Sequence, residues 1–146
     1  MSKMKIRVHE SKKSEGYNDY DVIRDWLETV MEKAGTMFGS AYVSENGRGS
    51  GEICIEIEGY DSTGGDAIIS LVFDESDTLE DTIASIDEEL SEYAEDFDPD
   101  DEAKMYADSD MAGVPPLREL IKAMDERKED MRTLSDAVHK AYREMV

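Results

Sequence analysis

The sequence contains few of the residues on which catalysis and covalent cross-linking most often depend. Its 146 residues include one cysteine, two histidines and one tryptophan. The single cysteine, Cys54, cannot form a disulfide within the chain, so the fold depends on its hydrophobic core. Zinc binding or catalysis by histidine would require His9 and His139 to meet from distant parts of the sequence. These scarcities argue against a disulfide-stabilised domain, a zinc site and a histidine-dependent enzyme.

Long hydrophobic runs are also missing. No stretch approaches the ~18 apolar residues that a membrane span requires, and the opening sequence MSKMKIRVHE has no apolar core of signal-peptide length. Because an unpaired cysteine fits a reducing compartment, we expect a cytoplasmic protein that has no membrane partner. The length fits a single domain, residues 1–146, that is large enough to fold without a metal or a disulfide.

Basic residues are scarce in one segment of the chain. The whole sequence has 37 acidic and 16 basic residues, which gives a net charge of -21. Residues 74–111 contain 17 acidic residues and a single base, Lys104, so this quarter of the chain carries -16. Such a field repels nucleic acid and anionic membranes and attracts basic protein surfaces. We therefore expect a basic protein partner and no direct binding of nucleic acid.

The N-terminal half of the sequence predicts one helix and an antiparallel sheet of three to four strands. Residues 1–16 could form a strand or a loose arm, whereas residues 17–74 predict a helix followed by a strand meander. Asn18 or Asp19 can cap the helix, and Gly35 can end it. Turn sequences ENGRGSG and DSTGGD separate the expected strands, which cover residues 37–44, 52–58 and 67–73.

Residues 75–146 predict three helices that cover this sheet, so the expected fold class is α+β. Apolar residues step by four and three positions over residues 79–97. Asp98 followed by Pro99 is a helix-start signal, because the carboxylate can accept N–H groups of the first turn. This second helix should end near Asp108. The third helix runs from Pro116 almost to the last residue.

The carboxylates form no metal-binding or catalytic motif. Asp98, Asp100 and Glu102 resemble the start of an EF-hand loop, but Ala103 and Ser109 occupy the positions at which that loop requires glycine and glutamate. Acid–base catalysis needs two carboxylates whose environments separate their pKa values in one pocket, and crowded surface carboxylates do not meet that condition. We therefore predict no metal, no cofactor and no enzymatic activity. A hydrolase built from carboxylates is the minority interpretation.

The candidate partner-binding residues are acidic residues between Glu80 and Asp110. They are Glu80, Asp81, Asp87, Glu88, Glu92, Glu95, Asp96, Asp98, Asp100, Asp101, Glu102, Asp108 and Asp110. Like charges one helical turn apart, such as Glu88, Glu92 and Glu95, repel by a few tenths of a kcal/mol per pair. Carboxylates about 5–6 Å apart along a helix can occupy the lysine and arginine subsites of a nucleic-acid-binding protein. This pattern predicts nucleic-acid mimicry, and an ordinary solvated face is the competing interpretation.

Four segments of the chain carry a family resemblance. They are YAEDFDPDDEAKMY (93–106), GVP (113–115) and RELI (118–121), and the earlier DSTGGDAI, from Asp61, adds a fourth match. They resemble small acidic proteins, mostly of unassigned function, that phages and conjugative elements of gut bacteria encode. The resemblance implies a helix, a strand meander and further helices. Because mobile elements often carry acidic inhibitors of restriction enzymes or CRISPR nucleases, it also implies an anti-restriction or anti-CRISPR protein whose partner is, for example, a Cas nuclease.

The long last helix supports a second hypothesis, an assembly or adaptor module. At ~1.5 Å per residue it would span roughly 45 Å, whereas a domain of this size has a radius of gyration of about 15 Å. We therefore expect it to project or to pair with a partner, for example in a homodimer. Its apolar stripe comprises Leu117, Leu120, Ile121, Met124, Met131, Leu134, Val138, Ala141 and Met145. Arg127 and Lys128 interrupt this stripe, which argues against a simple coiled coil.

Overall fold

The structure, a computed structural model, describes residues 19–76, 78–108 and 114–145. Its elements are α1 (Asp19–Ala34), β1 (Phe38–Glu45), β2 (Glu52–Tyr60), β3 (Asp66–Asp74), α2 (Leu79–Asp96), α3 (Pro99–Ala107) and α4 (Leu117–Met145). The predicted α+β fold is confirmed, with one three-stranded antiparallel sheet of order β1-β2-β3 and a long C-terminal helix. The fourth strand considered within residues 1–16 lies outside the described residues.

Helix α1 forms because its apolar residues share one side. Ile23, Leu27, Val30 and Met31 recur at three- to four-residue spacing, and all four are buried. Gly35 ends the helix with a φ of 66°, and its N–H donates to the carbonyl oxygen of Met31. Glycine suits this position because the left-handed conformation penalises a Cβ atom. The predicted helix and its terminating glycine are confirmed.

The sheet buries one face and leaves the other open. In β2, Ile53, Ile55 and Ile57 are fully buried, whereas the residues that alternate with them point away from the core. The pairing of β1 with β2 is irregular next to Phe38. There the Met37 carbonyl approaches so closely that a Cβ atom on Gly59 would lie 2.0 Å from its oxygen. Only glycine at this position allows the two backbones to meet.

Helices α1 and α2 cover the buried face of the sheet. Helix α1 packs against β1, and α2 packs against β3. Thr78 caps α2, since its hydroxyl accepts the N–H of Asp81. The apolar positions that the sequence predicted for this helix enter the core, with Leu79, Ile83, Ile86 and Leu90 all buried. These side chains and the isoleucines of β2 belong to one hydrophobic cluster.

Helix α4 does not project from the protein, so that part of the prediction is wrong. It packs against α1, α2 and α3, and its apolar stripe enters two separate clusters. Met131, Leu134 and Val138 join the main core, whereas Leu120 and Met124 form a smaller cluster with α3. The long helix fits because α3 supplies a second surface for its first half. Neither α4 nor another helix within the described ranges is long and apolar enough to cross a bilayer.

Candidate partner-binding surface

Four carboxylates line the solvent side of α2, opposite its buried face. They are Asp81, Glu88, Glu92 and Glu95, and all four are exposed. Their spacings of seven, four and three residues correspond to one or two helical turns, so they lie in one row about 21 Å long. The helix contributes no lysine, arginine or histidine that would interrupt this charge. We call these four residues the acidic row.

The acidic row has no cationic partner in the part of the chain that the structure describes. The ion pairs found there involve Asp21, Asp25 and Asp61, and Asp87 forms a hydrogen bond with His139. Neighbouring glutamates in the row therefore repel one another without compensation, at a cost of a few tenths of a kcal/mol per pair. The row maintains a negative surface that contributes nothing to the packing of α2.

Negative charge is still less favourable at the C-terminal end of α2 than along the rest of the helix. Glu95 and Asp96 lie in the last turn, which contains no basic residue. A carboxylate there opposes the helix dipole by roughly 0.3–1 kcal/mol. Acidic residues in the first turn, Glu80 and Asp81, have the opposite effect and stabilise the helix. Helix formation thus accounts for the acids at the start of α2 and does not account for those at its end.

Lys128 of α4 stabilises the C-terminal end of α2 but does not form an ion pair with the acidic row. Its ammonium group donates to the backbone carbonyl oxygens of Glu95 and Phe97. These carbonyls have no helical N–H partner beyond the last turn, so the lysine acts as a cap supplied by another helix. The glutamate side chain of residue 95 stays exposed to solvent. One of the two basic residues predicted to interrupt the stripe of α4 therefore has a structural role.

Two further α2 candidates do not belong to the acidic row. Asp87 points to α4, where its carboxylate lies 2.8 Å from Nδ1 of His139, and its side chain is only 15% exposed. Glu80 is half-buried. The sequence pattern placed both on the non-apolar side of the helix, but it could not indicate that α4 covers one edge of that side. Asp96 is exposed at the last turn of the same helix.

The acids of α3 have mainly local roles. Asp98 caps the helix, as predicted, because one carboxylate oxygen accepts the N–H groups of Asp100 and Asp101. These two neighbours are exposed in the first turn, where negative charge is favourable. Asp108 is exposed at the C-cap position. Asp110, the remaining candidate of this region, lies outside the described residues.

Glu102 differs from the other α3 acids because it interacts with Tyr93 of α2. Glu102 is half-buried. Burial of Tyr93 raises the pKa of this tyrosine, and the nearby carboxylate of Glu102 raises it further, whereas Arg127 opposes that rise. The hydroxyl of this tyrosine donates to the backbone oxygen of Ile68 in β3. Glu102 therefore belongs to the packing between α2, α3 and α4 and is a poor candidate for a partner contact.

Sequence reasoning did not find the buried ion pair between Asp61 and Arg127. The arginine occupies the point where the two apolar clusters of α4 meet, and it is 6% exposed. It donates through Nε and Nη2 to one carboxylate oxygen of Asp61, with an Nε distance of 2.9 Å. Its guanidinium carbon also lies 5.7 Å from the ring centroid of Tyr106. The arginine continues the packed side of α4 through an ion pair and therefore does not break it.

The other carboxylate oxygen of Asp61 organises the turn between β2 and β3. It accepts hydrogen bonds from the N–H and hydroxyl of Thr63 and from the N–H of Gly65. Burial alone would raise the pKa of Asp61, but the hydrogen bonds from Thr63 and Arg127 outweigh it and lower the pKa. The turn sequence DSTGGD, noticed in the family resemblance, therefore has a structural explanation. The signal that could have revealed it is the lone arginine within an apolar stripe.

A cleft of about 370 Å³ lies beside the acidic row, between the end of β3 and α2. Its walls include Glu88 of the row together with Asp74, Glu75 and Glu89, and the ring of Phe73 provides an apolar side. Carboxylates and an aromatic ring that line one cleft form a suitable environment for a guanidinium or ammonium group. Within the described ranges, no group of three or more potential ligands is arranged to hold a metal ion.

Comparison of the chain with protein-family models, curated proteins and solved structures gave no match.

Proposed function

We propose that this chain is a non-enzymatic inhibitor that binds the nucleic-acid site of a basic protein through the acidic row. The observation that supports the proposal most strongly is a row of exposed carboxylates along one side of α2 without cationic partners among the described residues. Its three glutamates repel one another, and Glu95, in the last turn, also opposes the helix dipole. A row maintained at a cost in helix stability is more readily explained by a contact outside the chain than by the fold.

The chemistry of such a contact follows from the geometry of the row. Carboxylates one turn apart accept paired hydrogen bonds from arginine and lysine side chains that otherwise hold phosphates. The cleft beside Glu88 gives one cationic side chain of the partner a partly enclosed position. Binding therefore competes with nucleic acid for the same basic groups. Because it depends on charge, it should be fast and weaken steeply as salt rises.

The partner class rests on the family resemblance. We propose a bacterial defence protein, a CRISPR nuclease or a restriction enzyme, which would make the chain an anti-CRISPR or anti-restriction protein that acts in the cytoplasm. The adaptor hypothesis gains no support from the geometry, since Met131 and Leu134, which it required at an interface, are buried in the chain's own core. Replacing those two residues would unfold the protein and could not test an adaptor role.

A pull-down from a lysate of a bacterial host tests the proposal. The bait is the wild-type chain or a variant with Glu88→Lys, Glu92→Lys and Glu95→Lys. The matched control reverses three exposed acids of α4, Glu119, Asp125 and Glu129, and changes the net charge by the same amount. We expect the wild type and the control to retain a nucleic-acid-binding protein at low salt and to release it at high salt. Recovery of no such protein by the wild type would contradict the proposal.

A further inference from the structure

The open face of the sheet concentrates exposed apolar side chains. Seven large hydrophobic residues of the described chain are notably exposed, and four of them lie on this face: Tyr42 (56%), Tyr60 (69%), Ile68 (44%) and Val72 (41%). Antiparallel sheets often have one solvated face, but that face normally carries polar residues. A cluster of exposed apolar groups on a folded protein usually marks an interaction surface. We call this surface the outer sheet face.

The register of the strands sets these apolar groups around carboxylates of the central strand. Glu56 pairs with Tyr42 of β1, and Glu58 pairs with Ile68 of β3. In the next row along β2, Cys54 pairs with Val72. Directly opposite residues of an antiparallel pair have Cβ atoms about 4.5–5.5 Å apart. Each of these two carboxylates therefore has an apolar neighbour on an adjacent strand.

No basic residue occurs in any of the three strands. The two central carboxylates, Glu56 and Glu58, are two residues apart and point to the same side, which separates them by about 6.6–6.8 Å. Every second side chain of any extended peptide has the same spacing. A partner strand with cationic residues at alternate positions thus matches the carboxylates in both charge and repeat.

We propose that the outer sheet face binds an extended, basic segment of a protein partner, in which arginine or lysine alternates with other residues. Its cations lie against Glu56 and Glu58, and its backbone and aliphatic stems lie over Tyr42 and Ile68. Binding across the face is favoured over addition of a strand at an edge. The N–H of Ala41 in β1 already donates to Glu28, and the backbone oxygen of Ile68 in β3 already accepts from Tyr93.

Charge distinguishes this occupant from the alternatives. A second copy of the chain would bring two acidic faces together, in molecules that each carry a net charge of -21. Nucleic acid would meet the same repulsion. The proposed contact uses a surface other than the acidic row, so it does not depend on the function proposed above.

A binding measurement with a synthetic peptide tests the inference. The probe is a short fluorescent peptide in which arginine alternates with isoleucine and valine, and its comparison peptide has the same composition with all arginines consecutive. We expect Glu56→Gln with Glu58→Gln to weaken binding of the alternating probe by about tenfold, whereas Glu119→Gln with Glu129→Gln, equal in charge change and at exposed positions of α4, weakens it less than about threefold. The alternating probe should bind more tightly than the comparison peptide.

Three outcomes would overturn the inference. Equal weakening by the two variants would mean that overall charge alone attracts the peptide. Equal binding of the two peptides would mean that the alternating spacing of the arginines does not contribute to recognition. The third concerns the basic residues Lys3, Lys5 and Arg7. If their replacement by glutamine raises affinity about tenfold more than the same change at Arg118, Lys122 and Lys140, this chain's own N-terminal segment is the occupant and no partner strand is needed.

Glutamine variants of the two surfaces separate this inference from the proposed function. Glutamines at residues 56 and 58 should leave capture of a nucleic-acid-binding protein intact, whereas glutamines at residues 92 and 95 should reduce it. Unchanged far-ultraviolet circular dichroism confirms that each variant is folded. If the peptide result fails while capture of the nucleic-acid-binding protein depends on residues 92 and 95, only the proposal for the outer sheet face is wrong. If capture fails while the peptide result holds, only the proposed function of the acidic row is wrong.

Discussion

Carboxylates have opposite roles in two regions of this molecule. At the junction between the β2–β3 turn and α4, Asp61 is buried and accepts five hydrogen bonds, two of them from Arg127. In the acidic row, Glu88, Glu92 and Glu95 are exposed and face one another without a cationic partner among the described residues. The first arrangement holds two parts of the fold together, whereas the second one opposes helix formation slightly.

This difference shows that the number of acidic residues is less informative than what each of them contacts. A buried carboxylate that lost its partner would be expensive, because the charge would remain without solvent or a counterion. Loss of charge at the exposed Glu88, Glu92 and Glu95 would cost the fold nothing, because these carboxylates only repel one another. The stability of the fold should therefore fall when the buried region is neutralised and rise when the acidic row is neutralised.

The largest effect is expected when the buried pair is broken. Arg127→Met leaves Asp61 buried without its cation, and the free energy of unfolding should fall by about 3–5 kcal/mol. Urea denaturation monitored by circular dichroism measures the change. The double variant, with Asp61→Asn added, should recover part of the loss. A single variant as stable as the wild type would contradict the structural role of the pair.

A smaller loss is expected when α2 loses the cap that α4 provides. Lys128→Met removes the ammonium group that donates to the carbonyls of Glu95 and Phe97, and about 1–3 kcal/mol of stability should be lost. The control is Lys122→Met, at an exposed position of the same helix. If both variants unfold at the same urea concentration, the lysine does not stabilise the end of α2.

Acid should remove the contribution of Asp61. Because its pKa is lowered in the folded protein, this carboxylate stabilises the fold at pH values above its unfolded pKa of about 3.9. That stabilisation decreases as the pH falls from the unfolded pKa through the lower, folded one. The difference in unfolding free energy between the wild type and Asp61→Asn should therefore be constant near neutral pH and shrink below about pH 4. A constant difference down to the most acidic buffer would contradict this account.

The smallest effect, and the only gain, is expected in the acidic row. Replacing Glu88, Glu92 and Glu95 by glutamine removes the repulsion along α2, and stability should rise by roughly 0.5–1 kcal/mol. Thermal unfolding at low salt measures this change, which should diminish when salt screens the wild-type charges. A loss of stability in the glutamine variant would mean that the row has a structural partner.

Much of the fold could be predicted because its local signals agree with one another. The turn sequences on either side of residues 52–58 identified β2, the steps of three and four residues from Leu79 identified α2, and Gly35 marked the end of α1. These patterns depend on residues close in sequence. The path of α4 could not be predicted in this way, because an estimate of domain size does not indicate that α3 offers a second cluster for Leu120 and Met124.

The candidate surface was predictable to a similar extent. Helical spacing placed Glu88, Glu92 and Glu95 on the solvent side of α2, where the structure also has them. It could not separate them from Asp87 and Glu102, which are partly covered by neighbouring elements. Such contacts join residues far apart in the chain, and they depend on which helices pack together. The grouping of exposed apolar residues on the outer sheet face follows only from the strand register.

The measurement that tests the central claim most directly is competition for nucleic acid. A nuclease captured in the pull-down is titrated with its labelled nucleic acid at increasing concentrations of the chain. The account predicts that the wild type and the variant reversed at Glu119, Asp125 and Glu129 displace the nucleic acid. The variant reversed at Glu88, Glu92 and Glu95 should fail to do so. Formation of a stable complex that contains nuclease, chain and nucleic acid together would contradict nucleic-acid mimicry by the acidic row.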